Sequence, residues 1–164
     1  MYIVDPSRQL QIMKEMKQLR KDTEKYEVFF HHTMNDQMWK SFFPRATKDG
    51  LGPKLLRQEP QPETYEEMLD ICLSDEVPEN AIGLGIDLST QMEIWPEIFE
   101  YLEKNRRDMN SGQLRLFLKH LQVYRYSDNL SELNIDPGDL PYEESELKKF
   151  LWRSRKLTFK SYLF

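Results

Sequence analysis

PSRQLQIMKEMKQLRKDTEKYEVFF, residues 6–30, is the stretch whose reading decides the fold class. Ile12, Met16, Leu19, Tyr26 and Phe30 recur at helical spacing, while Lys14, Lys17 and Lys21 lie elsewhere on the same cylinder. Read this way the segment is one long amphipathic helix, with a short strand over residues 26–32 as the alternative at its end. Downstream, Trp39, Phe42 and Phe43 supply the apolar side of a second helix expected over residues 35–43 and stopped by Pro44. Residues 45–62, punctuated by Gly50, Gly52, Pro53, Pro60 and Pro62, read as a long connection with one helical turn at 54–57.

Helical signals strengthen from there. Thr64 and Glu67 match a capping box, in which hydroxyl and carboxylate satisfy backbone donors that a first turn leaves free, and a helix is expected over 65–75. Tyr65, Met68, Leu69 and Cys72 fall on one side of it, Glu66, Glu67 and Asp70 on another. The run Ala81, Ile82, Gly83, Leu84, Gly85, Ile86 is too apolar for an exposed loop and rich in glycine, and reads as a buried connection or short strand. Thr90 and Glu93 repeat the capping-box pattern, but Pro96 moves the expected start to Ile94, with the proline in the first turn. Asn110 and Gln113 are expected to cap a helix over 112–126, and a last helix follows Pro141. The sum is a mainly α, single compact domain (residues 1–164) of five or six helices. An α+β fold is the alternative, its strands expected at 26–32, 82–88 and 156–164.

Composition agrees with a folded chain. Among 164 residues, 39% are hydrophobic, and three Trp, nine Phe and eight Tyr offer bulky groups to bury. The lone cysteine, Cys72, has no internal disulfide partner and is expected to be a buried, inert thiol. Charged residues interrupt the first twenty positions and no apolar run reaches 18 residues, so neither a signal peptide nor a membrane span is expected, and the protein reads as cytosolic.

Charge is segregated along the chain. Residues 59–103 carry thirteen acidic side chains and no Lys or Arg, while the remaining positions sum to +8. Such a block repels phosphates and attracts cationic proteins, steering their encounter. Its cleanest stripe is Glu93, Glu97 and Glu100, opposite an apolar side made by Ile94, Trp95, Ile98, Tyr101 and Leu102. The expected partner-binding residues are therefore Glu66, Glu67, Asp70, Glu93, Glu97 and Glu100, with Trp95 or Tyr101 as an aromatic anchor.

Signals for chemistry are sparse. His31 and His32 are adjacent and His120 is remote, so no i, i+4 histidine pair or paired cysteines mark a metal site. Of the two neighbouring histidines, one is expected to pack and the other to be solvated. Gly83 and Gly85 lack the third glycine of a dinucleotide loop, and Gly50, Gly52, Pro53 and Lys54 lack the spacing of a phosphate loop. Carboxylates from Glu63 to Asp70 lie on an exposed side, where each stays near its ordinary pKa. No catalytic residue, metal or cofactor is expected. The C-terminal segment carries Lys148, Lys149, Arg153, Arg155, Lys156 and Lys160 between Trp152, Phe159 and Tyr162, a composition suited to nucleic acid. The same cations suit a helix C-terminus or pairing with the acidic block, so direct nucleic-acid binding is not the expectation.

In length, acidity and missing chemistry the chain resembles the immunity proteins that bacteria make against their own polymorphic nuclease toxins, including those of contact-dependent inhibition systems. The resemblance implies a non-catalytic inhibitor that covers a basic toxin active site with its carboxylates. The alternatives are a small nucleic-acid-associated regulator using the C-terminal segment, and an enzyme built on His31, His32 or the carboxylates at 63–70.

Overall fold

The computed structural model describes residues 1–46, 50–128, 138 and 140–163. A five-stranded antiparallel sheet carries two layers of helix, and the fold is α+β, not mainly α. The sheet order is β1-β5-β4-β3-β2, with β1 Tyr2–Ile3, β2 Met16–Asp22, β3 Glu27–His32, β4 Gln37–Phe42 and β5 Leu55–Glu59.

The long helix expected over 6–30 is in fact a helix and two strands. Helix α1, Pro6–Met13, is capped by Asp5, whose side chain accepts from the Arg8 amide, and it ends before the chain turns into β2. The β2–β3 turn is fixed by Asp22, whose Oδ1 accepts from the amides of Glu24 and Lys25 at 3.1 Å each, and by Tyr26 at φ +54°. The β3–β4 turn uses Asn35 Oδ1, which accepts from the Gln37 amide, and Asp36 at φ +56°. Neither hairpin uses the glycine or proline that usually advertises a turn; short polar side chains supply the local hydrogen bonds instead. The helix expected over 35–43 is therefore strand β4, and part of the long connection at 45–62 is β5. Strand alternation shows why these segments bury as they do. Val28, Phe30, Trp39, Ser41 and Leu56 point to the face covered by Ile12 and Met13 of α1. Phe42, Leu55 and Arg57 point to the other. Strand β2 is almost wholly exposed and carries Lys17, Arg20 and Lys21, charges that discourage further pairing at an open edge.

On the second face lie α2 Tyr65–Ser74, α3 Pro78–Leu88, α4 Trp95–Asn105, α5 Ser111–Leu121, α6 Val123–Asp128 and α7 Glu144–Lys160. The glycine-rich run 81–86, expected as a connection or strand, is the centre of α3. A Cβ on Gly83 would meet the Tyr2 ring at 2.5 Å, and one on Gly85 would meet the Phe117 carbonyl of α5 at 2.7 Å. Both glycines trade helix propensity for close approach, to β1 on one side and α5 on the other. Asn110 caps α5, its Oδ1 accepting from Gly112 and Gln113 amides, as the sequence implies. Residues 156–160, a candidate strand, belong to α7.

One buried network joins the layers. Arg57 Nη1 donates to Asp87 Oδ2 at 2.6 Å, the Tyr2 hydroxyl donates to the same oxygen at 2.7 Å, and Arg57 also grips Glu59 through Nε and Nη2. Burial and the Asp87 charge push the Tyr2 phenol well above its ordinary pKa. For Arg57, burial pulls the other way, but the charges of Asp87 and Tyr2 and the Glu59 contact hold the guanidinium pKa above normal. A second arginine, Arg45, meets no carboxylate among the described residues: it donates to Ser89 Oγ, Gln122 Oε1 and the His120 carbonyl, tying the C-terminal ends of α3 and α5 together. Those ends carry partial negative charge, which compensates a partly buried cation.

Arg57→Ala would strand the Asp87 carboxylate inside the protein, and urea denaturation is expected to show a loss of about 3–5 kcal/mol. Gly83→Ala is expected to cost roughly 1–3 kcal/mol in the same assay, because the Tyr2 ring must move while its hydroxyl stays tethered.

Candidate protein-binding face

The acidic block is not one solvated surface. Glu79 pairs with Arg8 and accepts from the Val4 and Asp5 amides; Asp87 and Glu59 hold Arg57; Glu103 takes a two-pronged contact from Arg153, 3.0 Å at each oxygen. Asp75 accepts from the Val77 amide, Asn80 and Gln113. These five carboxylates serve the fold, and the expectation of an uncompensated block is corrected for them: Arg8, Arg57 and Arg153 supply countercharge to Glu79, Asp87, Glu59 and Glu103, and neutral donors satisfy Asp75. The other eight, Glu63, Glu66, Glu67, Asp70, Glu76, Glu93, Glu97 and Glu100, have no ion pair among the described residues.

Helices α2 and α4 carry seven of the eight residues expected to bind a partner, and the eighth, Glu93, lies just ahead of α4. Thr64 caps α2, its Oγ1 accepting from the Glu67 amide at 3.2 Å, as its sequence pattern implies. Met68, Leu69, Cys72 and Leu73 bury one side of α2 while Glu67 and Asp70 stay exposed and Glu66 half-buried. On α4, Trp95, Ile98, Phe99 and Leu102 are buried; Glu97 and Glu100, with Glu93 just ahead of the helix, are exposed. The two helices are joined at the surface by the Tyr101 hydroxyl, which donates to Asp70 Oδ1 at 2.8 Å. Burial first, then this bond and the charge of Asp70, push the Tyr101 phenol up to about 12.

Trp95 is corrected. It is 0% exposed, its Nε1 donates to the Leu88 carbonyl at 3.1 Å, and its ring packs edge-on against Tyr126 and Phe150. A residue that opens a helix after a 3₁₀ turn, Met92–Ile94, faces the core here, so Trp95 anchors the protein's own interior. Two tyrosines take its place at the surface. Tyr65 is raised by burial, by its hydrogen bond to Glu66, and by the charges of Glu66, Glu97 and Glu100. Tyr142, just before α7, is raised by burial and then by Glu97, Glu93 and Glu146, and its hydroxyl donates to the Glu93 carbonyl. The face is therefore a set of carboxylates interleaved with the half-buried Tyr65, Tyr101 and Tyr142. Helical periodicity placed Tyr65 with the core side of α2, and the fold alone brings Tyr142 from a distant segment; neither was legible as a site residue.

Elsewhere, Cys72 is buried and its thiol is pushed up to about 12 by burial, so it is no nucleophile near neutral pH. His32 is buried with Nδ1 unpartnered, and His31 is half-exposed against Asp36. Burial, with Lys119 and Arg45 nearby, lowers His120 below its ordinary value. Among the described residues no three His, Cys, Asp or Glu side chains gather as metal ligands do, and no helix is long and apolar enough to cross a membrane. No protein-family model, curated protein or solved structure matches the chain.

The Glu103–Arg153 pair closes the acidic face toward α7. The arginine contact, against an opposing effect of burial, lowers the Glu103 pKa, so its stabilisation is present at neutral pH and fades as acid protonates it. Glu103→Gln is expected to cost about 0.2–1 kcal/mol at pH 7. The difference from wild type should vanish in denaturation curves taken below the ordinary carboxylate range.

Proposed function

We propose that this chain is a non-catalytic inhibitor that docks its α2–α4 face onto a basic protein, and that the partner is a nuclease toxin whose phosphate-binding cleft the carboxylates occupy. The supporting observation is the sorting of the acidic block: five carboxylates are engaged by the chain's own donors, yet Glu66, Glu67, Asp70, Glu93, Glu97 and Glu100 remain without an ion pair among the described residues. Exposed carboxylates held close together repel one another, a cost that a cationic partner removes on binding. Tyr65, Tyr101 and Tyr142 supply what charge alone lacks. A half-buried tyrosine offers a large apolar contact and one hydroxyl at little entropic expense, which is why tyrosine recurs among the dominant residues of interfaces. The substrate that such a partner would otherwise hold is polyanionic, and a surface of fixed carboxylates mimics its charge. Inhibition then needs no turnover by this chain.

Immunity genes lie directly downstream of their toxin genes, so the partner to test is the basic nuclease domain encoded immediately upstream. Stopped-flow association with that domain is expected to be fast and to slow steeply with salt, and plasmid cleavage by the domain should stop at one equivalent of inhibitor. Replacing Glu93, Glu97 and Glu100 together by Gln should lower the association rate by roughly 10-fold or more and flatten its salt dependence. An unchanged rate and salt dependence in this variant would reduce the stripe to a solvated surface.

A further inference from the structure

The other pole of the molecule carries the opposite charge. Helix α7 buries Leu147, Phe150, Leu151 and Leu157, which leaves Trp152, Arg155, Lys156 and Phe159 facing outward. Trp152 is 61% exposed, Phe159 66% and Tyr162, just past the helix, 71%. Three large aromatics so open at one end of a helix have no role in the core. They are also interleaved with cations: Lys156 lies over the Trp152 ring at 4.8 Å and Arg115 over the Tyr162 ring at 4.6 Å. Of the α7 cations, Arg153 is committed to Glu103 and Lys148 to Glu144, but Lys149, Lys156 and Lys160 form no ion pair among the described residues. Among the described residues the acidic block therefore takes only Arg153 of this strip as an ion pair, while Lys156 and Lys160 lie near enough to Glu103 to help lower its pKa without closing on it.

Two concavities flank it. One, of about 560 Å³, opens between α5–α6 and α7; Leu118, Val123, Leu151 and Phe159 give it an apolar floor, and Arg115, Lys119 and Arg155 line it, with no carboxylate in its walls among the described residues. A second, of about 330 Å³, is lined by Arg106, Arg107 and Lys160. From these placements we propose that the outer side of α7 and the α5–α7 groove bind single-stranded nucleic acid, with bases on Trp152, Phe159 and Tyr162 and phosphates on Lys119, Arg155, Lys156 and Lys160.

The chemistry favours this occupant over others. Phosphates complement a strip of cations, of which Lys149, Lys156 and Lys160 form no ion pair among the described residues, and exposed rings add stacking, which every base accepts whatever the sequence. Trp152 and Phe159 are seven residues apart, about 10 Å along the helix, with Arg155 between them on the same side. That places a cation between two stacking platforms. A membrane surface fits poorly, because interfacial binding needs a continuous apolar face and the apolar face of α7 is spent on the core. A duplex fits poorly too, since paired bases offer no faces to these rings. The site is separate from the acidic α2–α4 face and stands whether or not that face binds a toxin.

Intrinsic fluorescence gives a direct test, because Trp39 and Trp95 are buried and Trp152 is the exposed indole. Adding oligothymidylate to the full chain at about 50 mM salt should quench that emission, and the affinity should fall with salt at a log–log slope near −3, as for about four phosphate contacts on a single strand. Trp152→Ala with Phe159→Ala, both at the surface, should weaken binding at least ~10-fold, read by anisotropy of a labelled strand, with circular dichroism unchanged. Arg155→Glu with Lys156→Glu should abolish it. Absence of binding, aromatic variants that bind like wild type, tighter binding to a hairpin duplex, or capture by phosphatidylglycerol vesicles and not by the strand would each overturn the proposal.

Discussion

The contact between Arg57, Asp87 and Tyr2 is the constraint from which the arrangement of the molecule follows. It joins strand β5, helix α3 and strand β1, segments that are far apart in sequence, at a point closed to water. Tyr2 enters it three times: its amide donates to Asn80, its hydroxyl to Asp87, and its ring fills the space that Gly83 leaves. Burying such charges yields little net stability, because desolvation consumes most of the Coulombic gain. What it does supply is register. A slip of one residue in β5 would turn Arg57 to the α1 face and leave Asp87 without a partner, so the sheet has one way to sit against α3. Helices α2 and α5 pack on α3 in turn, and the acidic face is built on the outer side of α2.

How much of this was legible depends on what carried each signal. Helices capped by their own side chains were read well: Thr64 on α2 and Asn110 on α5 act as their spacing implies. The N-terminal half misled because Ile12, Met16, Leu19, Tyr26 and Phe30 keep helical spacing by coincidence, while the breaks come from Asp22 and Asn35, turn formers that stand here without the glycine or proline that would mark them. The wide apolar run in α3 was misread for the opposite reason. Its glycines mark two tight approaches, to Tyr2 and to Phe117, and such approaches depend on partners that local sequence does not reveal. Trp95 was placed correctly on the apolar side of α4 and wrongly assigned to a partner; periodicity tells which side is apolar but not what covers it.

Charge was the least local property of all. The acidic block is contiguous in sequence, yet its members divide by geometry into those that meet an arginine and those that do not. Among the described residues, the ion pairs of the block are all with arginine, Arg8, Arg57 and Arg153. Planar guanidinium groups can serve two oxygens or two carboxylates at once, as Arg57 does with Asp87 and Glu59 and Arg153 does with both oxygens of Glu103.

Helix α4 then sets the polarity of the whole. It begins among Glu93 and Glu97, whose charge suits the positive end of the helix dipole, and finishes at Lys104, followed by Arg106 and Arg107 at the negative end. Its eleven residues span about 16 Å, twice the screening length of about 8 Å at physiological salt. Exposed charges at its two ends therefore act almost independently. A cationic protein seated on the acidic end is not repelled by the cations of α7, and a polyanion on α7 is not repelled by the carboxylates of α2, because the ion pair of Glu103 and Arg153 occupies the border between them. One short helix thus lets a single small fold carry opposite charge at two places without either surface cancelling the other.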